Sequence, residues 1–533
     1  MARMYTSRAA LVDGERVLTY RELDAESARV AAALRDITVG ERDVVALYLS
    51  NSIEFVIAYY GSLRAGATVT LINPLQPVPG LRAQLRETGA VAAFTQVEQG
   101  PRLVEAAQGT SLTTVVVVDG DTDESSAPAQ TDVPHICSLS DFVAGHDGAP
   151  TLSVTSADVA HLAFTGGTTG VSKGVRVLHR NVLANVTQMI GWRAGHAVLA
   201  GDDGLLYLER RDATAERGVT PGDAATVVVS PLFHAHALIN MSFLLMCGAT
   251  QVLAGRFDPA RMLELIERHR ATYVTGSPAM WHALATHPDV ASRDLSSVRV
   301  VSSGAAPIDH VTLEQLQSAF SSGSVVEGYG LTEATCLVSS APLTADGDYR
   351  LGSVGLPTFD TEVEIRSVDD PTVTLGPGER GELWVRGPQV TDGYHGHPEI
   401  TAAQFVDGWL DTGDIAYRDA DGYLYICDRA KDMLIYKGYN VYPRELEELL
   451  VTHPDVASAA VVGRDAGSIG QEPVAFLVAK DGHAIDADLV RDFVAEQVLP
   501  YKKIRDVVVV DSLPTSAAGK IQKVALRELL ATP

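Results

Sequence analysis

Short apolar runs rich in valine alternate with helical stretches along most of this chain. Residues 44–49, 114–118 and 226–229 have the length and composition of strands that are buried on both faces. Residues 259–269 and 311–319 have helical patterns and lie between further runs of this kind. Because parallel strands are joined by crossover connections, usually helices, the alternation predicts α/β layers built on parallel sheets.

The chain is long enough for more than one domain. Its 533 residues exceed the size at which a single hydrophobic core stops growing. The pattern changes near Asp428, where the charged run 428–432 separates two apolar, strand-like segments. Pro443 then opens an amphipathic helix, and several short strands follow it. The sequence therefore predicts a large N-terminal domain and a compact α+β domain after a boundary at about Asp428.

Charge and hydropathy limit the partners that we expect. The chain carries 42 Lys and Arg against 67 Asp and Glu, a net charge of −25. This balance argues against sequence-independent binding to nucleic acid or to an anionic membrane. Residues 224–255 contain no charged side chain, but they include Pro231 and several polar residues. We expect a buried strand, helix and strand there, and no stable membrane insertion.

The cysteines and the N-terminus indicate the compartment. The four cysteines are far apart and form no Cys-x-x-Cys pair, which predicts reduced thiols rather than a disulfide framework or a zinc site. No apolar segment of the signal-peptide kind follows Met1. Both observations predict a cytoplasmic protein.

Residues 164–174 form the most specific motif. The stretch contains four glycines, three threonines, a serine and a lysine, and it follows an apolar run at 159–164. Glycine lets backbone N–H groups approach an anion closely, and successive N–H groups form an anion-binding nest. The spacing is not the Walker pattern. The sequence predicts a polyphosphate loop after a buried strand, with these binding residues: Thr165, Gly166, Gly167, Thr168, Thr169, Gly170, Ser172 and Lys173.

Further polar residues lie at fixed places downstream. Tyr329 offers a flat ring for stacking, and Glu333 offers a hard oxygen ligand for Mg²⁺. Asp414 could accept both hydroxyls of a ribose, and Arg429 begins the charged run. Lys520 lies on a glycine-bearing loop near the C-terminus. Taken singly, each of these residues also has an ordinary structural explanation.

Together and in this order, the motifs resemble those of the adenylate-forming superfamily. That superfamily contains acyl- and aryl-CoA ligases, adenylation domains of peptide synthetases and beetle luciferases. The resemblance runs from the loop at 164–174 to Lys520, and a weaker likeness at residues 18–23 extends it over nearly the whole chain. Residues 231–234, 438–449 and 500–504 most resemble 4-coumarate-like and fatty-acyl CoA ligases.

The resemblance implies a fold and a reaction. The fold would be α/β: an N-terminal domain (1–427) of two layered α/β subdomains plus a β-barrel-like piece, a hinge (428–432) and a mobile α+β lid (433–533). The reaction would be ATP-dependent activation of a carboxylic acid as acyl-AMP, with release of pyrophosphate. Transfer of the acyl group to CoA would follow, with release of AMP. The implied cofactors are ATP, Mg²⁺ and CoA.

The resemblance also implies roles for single residues. Thr332 would contact the α-phosphate, and Glu333 with Thr169 would hold Mg²⁺. Asp414 and Arg429 would bind the ribose. The adenine would lie among Gly304, Ala305, Ala306, Glu327, Gly328, Tyr329 and Gly330.

Four lid, hinge and pocket residues complete the implied set. Lys520 would bridge the acid and the ribose-phosphate region, and Lys431 would be the hinge. Rotation of the lid would then bring Lys437 and Gly438 to the thiol tunnel. His234 would lie beside the acyl pocket, where the thiol arrives. The implied catalytic residues are Lys520, Thr332, Glu333 and His234.

Several alternatives remain open at this point. The predicted acyl pocket is mostly small or apolar and is formed by residues 234–238, 280–281, 302–304, 328 and 336–338. It predicts a hydrophobic acid, which is fatty, aryl or polycyclic, in fatty-acid or secondary metabolism. The acceptor is CoA, a carrier protein or a partner enzyme, and a luciferase-like oxygenase is a further alternative. Residues 200–222 form an extra surface excursion, and the protein is a monomer or a homodimer.

Overall fold

The protein was analysed as a computed structural model. The structure describes residues 4–118, 134–148, 150, 153–165, 172–202, 205–212, 217–304, 308, 310–343, 350, 352–437, 439–516 and 520–531.

A mainly parallel sheet forms the first layer, and seven described strands belong to it. Neighbouring strands are parallel except for the last pair, which is an antiparallel hairpin. In spatial order the strands are His135–Ser138, Thr114–Val117, Ala92–Thr95, Val44–Tyr48, Thr68–Leu71, Val159–Thr165 and Lys173–Leu178. The hairpin joins the ends of the predicted phosphate loop, which places that loop at one edge of the layer.

A second layer contains two further sheets. The first is built from Ala225–Val228, Thr250–Leu253, Ala9–Asp13 and Arg16–Thr19, in this spatial order. The other is built from Tyr273–Gly276, Val300–Ser303, Ser324–Tyr329, Ser339–Ser340 and Leu356–Pro357. The first three strands of the second sheet are parallel and in register, so their carboxyl ends meet at Gly276, Ser303 and Glu327.

An antiparallel sheet corresponds to the expected β-barrel-like piece. Its described strands are Glu362–Arg366, Gly381–Arg386, Phe405–Val406, Trp409–Arg418 and Leu424–Arg429. Ile365, Leu383 and Leu410 are fully buried in its core. The mixed architecture confirms the predicted α/β class.

Helices cover the sheets of the N-terminal domain. They span Tyr20–Asp36, Ile53–Arg64, Val78–Thr88, Gly100–Ala107, Leu139–Phe142, His179–Ala194, Ala235–Met246, Pro259–Arg268, Pro278–Ala285, His310–Ala319 and Pro398–Gln404. Short 3₁₀ turns occur at Pro288–Ser292 and Thr332–Ala334. The uncharged segment 224–255 contributes two strands and a helix, as expected. In the described part of the chain, no helix is long and apolar enough to cross a membrane.

Local chemistry fixes the helix ends. The Thr19 side chain accepts a hydrogen bond from the backbone N–H of Glu22, whose carboxylate accepts from the Thr19 N–H, so the two form a capping box. The helix His179–Ala194 stops at Gly195, which has a φ of +61°. Glycine adopts that left-handed conformation without the Cβ clash that other residues meet, which favours it at a helix end.

The C-terminal domain is a separate α+β unit, as predicted. A small hairpin, Leu434–Tyr436 with Tyr439–Val441, precedes a sheet of Val456–Asp465, Gln471–Ala479 and Asp506–Val509. Its helices are Pro443–Leu450, Ala487–Ala495 and Lys523–Ala531, and 3₁₀ turns lie at Gly467–Ile469 and Pro500–Lys502. Leu446 and Leu450 of the first helix are fully buried, so the predicted amphipathic face packs on this sheet.

The junction between the domains is shorter than the charged run in the sequence. The strand Leu424–Arg429 includes Asp428 and Arg429, and it pairs with the strand Trp409–Arg418. The Ala430 N–H donates to the Gly413 carbonyl at 2.9 Å. The backbone between the strand Leu424–Arg429 and the first lid strand, Leu434–Tyr436, is thus confined to residues 430–433. Lys431 lies in this junction.

The predicted surface excursion contains an antiparallel hairpin, His196–Ala200 with Leu206–Arg210. Leu206 and Tyr207 are exposed on it. The excursion returns against the preceding helix, because the Val219 N–H donates to the Arg193 carbonyl at 2.9 Å. The hairpin starts at His196, slightly before the predicted start at residue 200.

Candidate active site

A buried carboxylate lies where the N-terminal domain meets the lid. Asp414 is 3% exposed and stands opposite Arg429 in the antiparallel pair of strands. Its Oδ1 is 2.7 Å from Arg429 Nε, and its Oδ2 accepts a 2.5 Å hydrogen bond from the Tyr329 hydroxyl. The Asp414 carboxylate raises the pKa of Arg429, so the guanidinium keeps its charge at neutral pH. A carboxylate accepts about four hydrogen bonds, so Asp414 can also receive two ribose hydroxyls.

A second carboxylate, Glu333, lies on the 3₁₀ turn Thr332–Ala334. Its Oε1 accepts a 2.7 Å hydrogen bond from the Tyr394 hydroxyl, which also lies 2.8 Å from Gln404 Oε1. The ammonium of Lys173 lies 5.5 Å from the centre of the Tyr394 ring. Tyr394 therefore joins the magnesium candidate to the end of the phosphate loop.

Lys520 reaches this site from the lid. The residue follows a loop closed by two backbone hydrogen bonds, from Ser516 N–H to the Lys520 carbonyl and from Gln522 N–H to the Pro514 carbonyl. Its side chain is accessible to water, yet the surrounding cleft removes hydration and lowers the pKa of the ammonium. Arg429 lowers this pKa further, while the carboxylates of Asp414 and Glu333 oppose the effect. Three residues predicted to form one site therefore surround the lysine.

Two histidines line the cleft on the other side of Lys520. His234 precedes the helix Ala235–Met246, and its Nε2 is buried without a hydrogen-bond partner. The His236 Nε2 lies 3.1 Å from the Thr275 hydroxyl. Burial, and then the nearby Lys520 charge, lowers the pKa of each histidine to about 4. Both rings are thus neutral at pH 7.

Glycines allow the backbone to approach closely around the predicted adenine site. A Cβ at Gly330 would lie 1.5 Å from the Cys336 carbonyl oxygen, so no other residue fits there without movement of the backbone. A Cβ on Gly304 would lie 3.0 Å from His236 Nε2, and one on Gly328 would lie 3.1 Å from Leu337 Cδ1. The Gly304 and Gly328 contacts are tight, but movable side chains make them.

The ends of the phosphate loop are defined in the structure. Thr165 and Lys173 are partners in the hairpin, and the Ser172 hydroxyl donates to the Thr165 carbonyl at 2.7 Å. Ser172 thus bonds the other end of the loop, and its contact with phosphate stays a prediction. Several predicted site residues lie outside the described residues: Gly166, Gly167, Thr168, Thr169, Gly170, Ala305, Ala306 and Gly438.

Lys437 lies away from this cluster, and Lys431 lies at the junction beside it. Lys437 is exposed on the lid, where its ammonium is 5.2 Å from the centre of the Tyr436 ring. Its φ is +52°, and its N–H donates to the Ile469 carbonyl. Lys431 lies in the junction, and burial and the charge of Arg429 lower its pKa. The predicted approach of Lys437 to the thiol tunnel requires a different lid orientation, whereas Lys431 lies in the junction where the hinge is predicted.

The predicted acyl pocket needs two corrections. Trp281 is fully buried in a core with Val274 and Val301, on the sheet face opposite to Thr275. Val338 belongs to the core of the antiparallel sheet. Neither side chain lines the cleft beside His236, because Trp281, on the helix Pro278–Ala285, packs into the core on the Val274 side of the sheet and Val338 packs into the antiparallel sheet.

The sequence did not single out Tyr394, Gln404 or Thr275. Each carries one polar group in an otherwise ordinary segment, and only the folded chain brings it to Glu333 or His236. In the sequence, Tyr394 is marked only by the Gly-Tyr pair that it forms with Gly393, and such pairs are too common to predict a site residue.

The residues present fit a nucleotide with its metal. Asp414 has free acceptor capacity, while buried His234 Nε2 and Ser303 Oγ have no partner in the described part of the chain. Glu333 supplies a hard oxygen of the kind that Mg²⁺ prefers, and Mg²⁺ usually takes few protein ligands because substrate phosphates supply others.

Comparisons with known proteins agree with this geometry. Residues 1–395 match the AMP-binding enzyme family, and residues 445–520 match the AMP-binding enzyme C-terminal domain. The chain is 35% identical over 536 residues to 4-coumarate–CoA ligase 1 of Oryza sativa subsp. japonica, covering 98% of this chain and 90% of that protein.

Solved structures match over almost the whole length. ATP-bound MatB from Rhodopseudomonas palustris has a TM-score of 0.85 at 25% identity, covering 100% of this chain and 98% of that one. The amide bond synthetase McbA from Marinactinospora thermotolerans has a TM-score of 0.83 at 27% identity, covering 98% and 97%. The chain therefore belongs to the adenylate-forming, AMP-binding enzyme family and is similar to 4-coumarate–CoA ligases over nearly its whole length.

Proposed function

We propose that this enzyme activates a carboxylic acid with a hydrophobic body as acyl-AMP and then transfers the acyl group to CoA. In the first half-reaction, a carboxylate oxygen of the acid attacks the α-phosphorus of ATP, and pyrophosphate leaves. In the second, the CoA thiol loses its proton and attacks the acyl carbon, and AMP leaves with the oxygen that came from the acid. Neither step requires a covalent bond to the protein.

The position of Lys520 is the observation that carries this proposal. Two anions, the acid and the α-phosphate, repel each other and must be held together for the first half-reaction. Lys520 brings a compact positive charge to the space between Glu333, Asp414 and the two histidines. An ammonium can donate to oxygens of two different molecules at once, which suits a bridging role.

The remaining site residues orient the nucleotide in this proposal. Asp414, held by Arg429 and Tyr329, receives the ribose hydroxyls, while Thr332 contacts the α-phosphate. The 164–174 loop and Lys173 bind the outer phosphates. Glu333 would hold Mg²⁺, with Thr169 as a second predicted ligand. The ion would neutralise phosphate charge.

His234 and His236 are assigned to the acyl side of the cleft. Because both rings are neutral at pH 7, they add no positive charge beside Lys520. Gly304 and Thr275 pack against His236, and apolar side chains lie beyond them. This environment supports an acid whose body is hydrophobic, and it disfavours a small hydrophilic acid.

CoA is the proposed acceptor because relatives that match nearly the whole chain at 33–35% identity are named as CoA ligases. An amine acceptor is the second candidate, since the similar structure of McbA is named an amide bond synthetase. A carrier protein or a partner enzyme remains a further acceptor to test.

The proposal is tested with a panel of fatty, aryl and polycyclic acids. Pyrophosphate release is measured with ATP and Mg²⁺, with and without CoA, and the products are identified by mass spectrometry. We expect acyl-CoA and AMP from one class of acid. Accumulation of acyl-AMP with CoA present, or its conversion only with an added amine, would overturn CoA as the acceptor. Absence of pyrophosphate release with every acid would contradict the activation step.

A further inference from the structure

Tyr394 stands between the magnesium candidate and the strand that leaves the phosphate loop. It is 6% exposed, and its hydroxyl donates to Glu333 Oε1 at 2.7 Å. The ammonium of Lys173 lies 5.5 Å from the centre of its ring. The proposed mechanism uses Glu333 and Lys173 but has no task for the tyrosine that touches both.

The backbone of Tyr394 is fixed against the strand that begins at Lys173. Tyr394 pairs with Val175 in an isolated antiparallel bridge. One residue further on, the His395 N–H donates to the Gly174 carbonyl at 2.8 Å. Since Lys173 opens the same strand, Tyr394 has a set position relative to this lysine.

Two further contacts hold the residue from the other side. The Tyr394 N–H donates to the Thr401 hydroxyl at 3.0 Å. Gly393 has a φ of +121°, and a Cβ there would lie 2.1 Å from Thr401 Cγ2, so glycine permits this close approach. The Phe405 ring packs edge-on against Tyr394, with ring centres 6.0 Å apart. These contacts keep the ring, and with it the hydroxyl, at Glu333.

The Tyr394 hydroxyl faces two acceptors but has one hydrogen to donate. Gln404 Oε1 lies 2.8 Å from it, on the side away from Glu333 Oε1. The orientation of the Gln404 amide is set by its other end, because Nε2 donates to the Asp411 carbonyl at 3.1 Å. A charged carboxylate is a stronger acceptor than a neutral amide oxygen, so the hydrogen goes to Glu333.

We propose that Tyr394 is a positioning residue, which holds the Glu333 carboxylate in the orientation in which it binds Mg²⁺ together with the phosphates of ATP. This inference rests on the proposed function, because it assumes that ATP with Mg²⁺ is a substrate. A carboxylate has about four acceptor sites, so the bond from Tyr394 leaves capacity for a metal ion. The same tyrosine fixes Glu333 relative to Lys173, so two groups that act on one triphosphate keep their spacing.

The test measures ATP binding by calorimetry in the absence of any acid, once with Mg²⁺ and once with EDTA. Tyr394→Phe removes the hydroxyl and keeps the ring beside Lys173. Gln404→Met is the matched control, because it removes the other partner of the same hydroxyl.

We expect Tyr394→Phe to weaken ATP binding with Mg²⁺ by about 10-fold, since partners that orient a metal ligand commonly contribute 10- to 100-fold to metal affinity. Its ATP binding in EDTA should match the wild type. Gln404→Met should keep the full gain from Mg²⁺, because Glu333 retains its donor. Weaker ATP binding of Tyr394→Phe in EDTA, an equal loss in both variants, or an unchanged gain from Mg²⁺ in Tyr394→Phe overturns the inference.

A kinetic readout separates positioning from general damage. In ATP–pyrophosphate exchange with an acid that the wild type activates, Tyr394→Phe should need about 10-fold more Mg²⁺ for half of its maximal rate. The rate at saturating Mg²⁺ should stay close to that of the wild type. A loss of rate that saturating Mg²⁺ does not restore contradicts a positioning role.

A double-mutant cycle shows whether the effect passes through Glu333. Glu333→Gln should lose the gain from Mg²⁺, and Tyr394→Phe should add no further loss in that background. Additive losses overturn the inference. Thermal unfolding in EDTA checks that each variant folds. If Tyr394→Phe does not fold, Thr401→Val, which removes the acceptor of the Tyr394 N–H, should show a loss of the same Mg²⁺-specific kind, and its absence overturns the inference.

The wild type separates the two possible failures. If its ATP binding gains nothing from Mg²⁺, the magnesium assignment in the proposed function fails. If the wild type shows that gain and Tyr394→Phe keeps all of it, only this inference fails.

Discussion

Replacing Lys520 by alanine should separate the two half-reactions. In the proposed mechanism this ammonium bridges the acid and the α-phosphate only during adenylation. Asp414 keeps its contacts with Arg429 and Tyr329 in the variant, so the ribose site should persist and KM for ATP should change little. The second half-reaction starts from an acyl-AMP that is already formed, and it does not need the bridge.

The magnitude follows from the kind of contact that is lost. Removal of one preorganised donor from a site shielded from water costs about 2.7–4 kcal/mol of transition-state stabilisation. At about 1.36 kcal/mol for each factor of ten, adenylation should slow by about 10²- to 10³-fold. Because the Lys520 side chain is accessible to water in this structure, we expect the lower end of this range.

Two assays measure the two steps. ATP–pyrophosphate exchange reports adenylation, and thioester formation from synthetic acyl-AMP and CoA reports the second step. Lys480→Ala is the control, since Lys480 is an exposed lid residue whose ammonium only contacts the His453 carbonyl. An equal loss in both half-reactions, or unchanged exchange in Lys520→Ala, would refute the bridging role.

Three further outcomes are expected. Lys431→Pro fixes the backbone of the junction, so exchange should continue while thioester formation falls; equal loss in both assays would count against a hinge there. Gly330→Ala should abolish ATP binding or folding, because its Cβ would lie 1.5 Å from the Cys336 carbonyl oxygen. Gly100→Ala is the control: its Cβ meets no atom within 4 Å, so ATP binding by calorimetry and stability by denaturation should match the wild type. Burial lowers the pKa of His161 to about 3, so the unfolded chain binds more protons between about pH 6.5 and pH 3. Stability should therefore fall with falling pH by up to ~1.4 kcal/mol per unit, and His161→Phe should show a smaller slope in urea titrations than the wild type.

The α/β layers were predictable because buried parallel strands are continuous apolar runs. The strand Val159–Thr165, which precedes the predicted phosphate loop, follows the sequence pattern closely. The strand Val300–Ser303 starts with two valines and ends on two buried serines. Polar residues at the carboxyl edge of a sheet face a binding site, so hydropathy alone misplaces that strand end.

The site was predictable where a motif joins several polar residues in a short stretch. The 164–174 loop and the Tyr329 to Glu333 segment are of this kind. Elsewhere in the chain, the burial of Arg193 was not predictable, because a basic residue in the last turn of a helix is usually a solvated partner of the helix dipole. Its burial depends on the returning excursion and on Ser340, which are distant in the sequence.

The junction also shows the limit of composition as a guide. The charged run at 428–432 looked like one linker, but Asp428 and Arg429 belong to a paired strand. The charge of Arg429 serves an ion pair with Asp414. Asp428 accepts hydrogen bonds from the backbone N–H groups of Arg429 and Arg444. The charged run in the sequence therefore covers both part of the site and part of the linker, and only the structure shows where one ends and the other begins.

The most direct test of acid activation follows the oxygen atoms. An acid that supports exchange is labelled with ¹⁸O in its carboxylate and incubated with the enzyme, ATP, Mg²⁺ and CoA, and the nucleotide is analysed by mass spectrometry. If the carboxylate attacks the α-phosphorus, each AMP molecule carries one ¹⁸O from the acid and pyrophosphate carries none. AMP without label, or label in pyrophosphate or inorganic phosphate, would contradict the acyl-adenylate and with it the role assigned to Lys520.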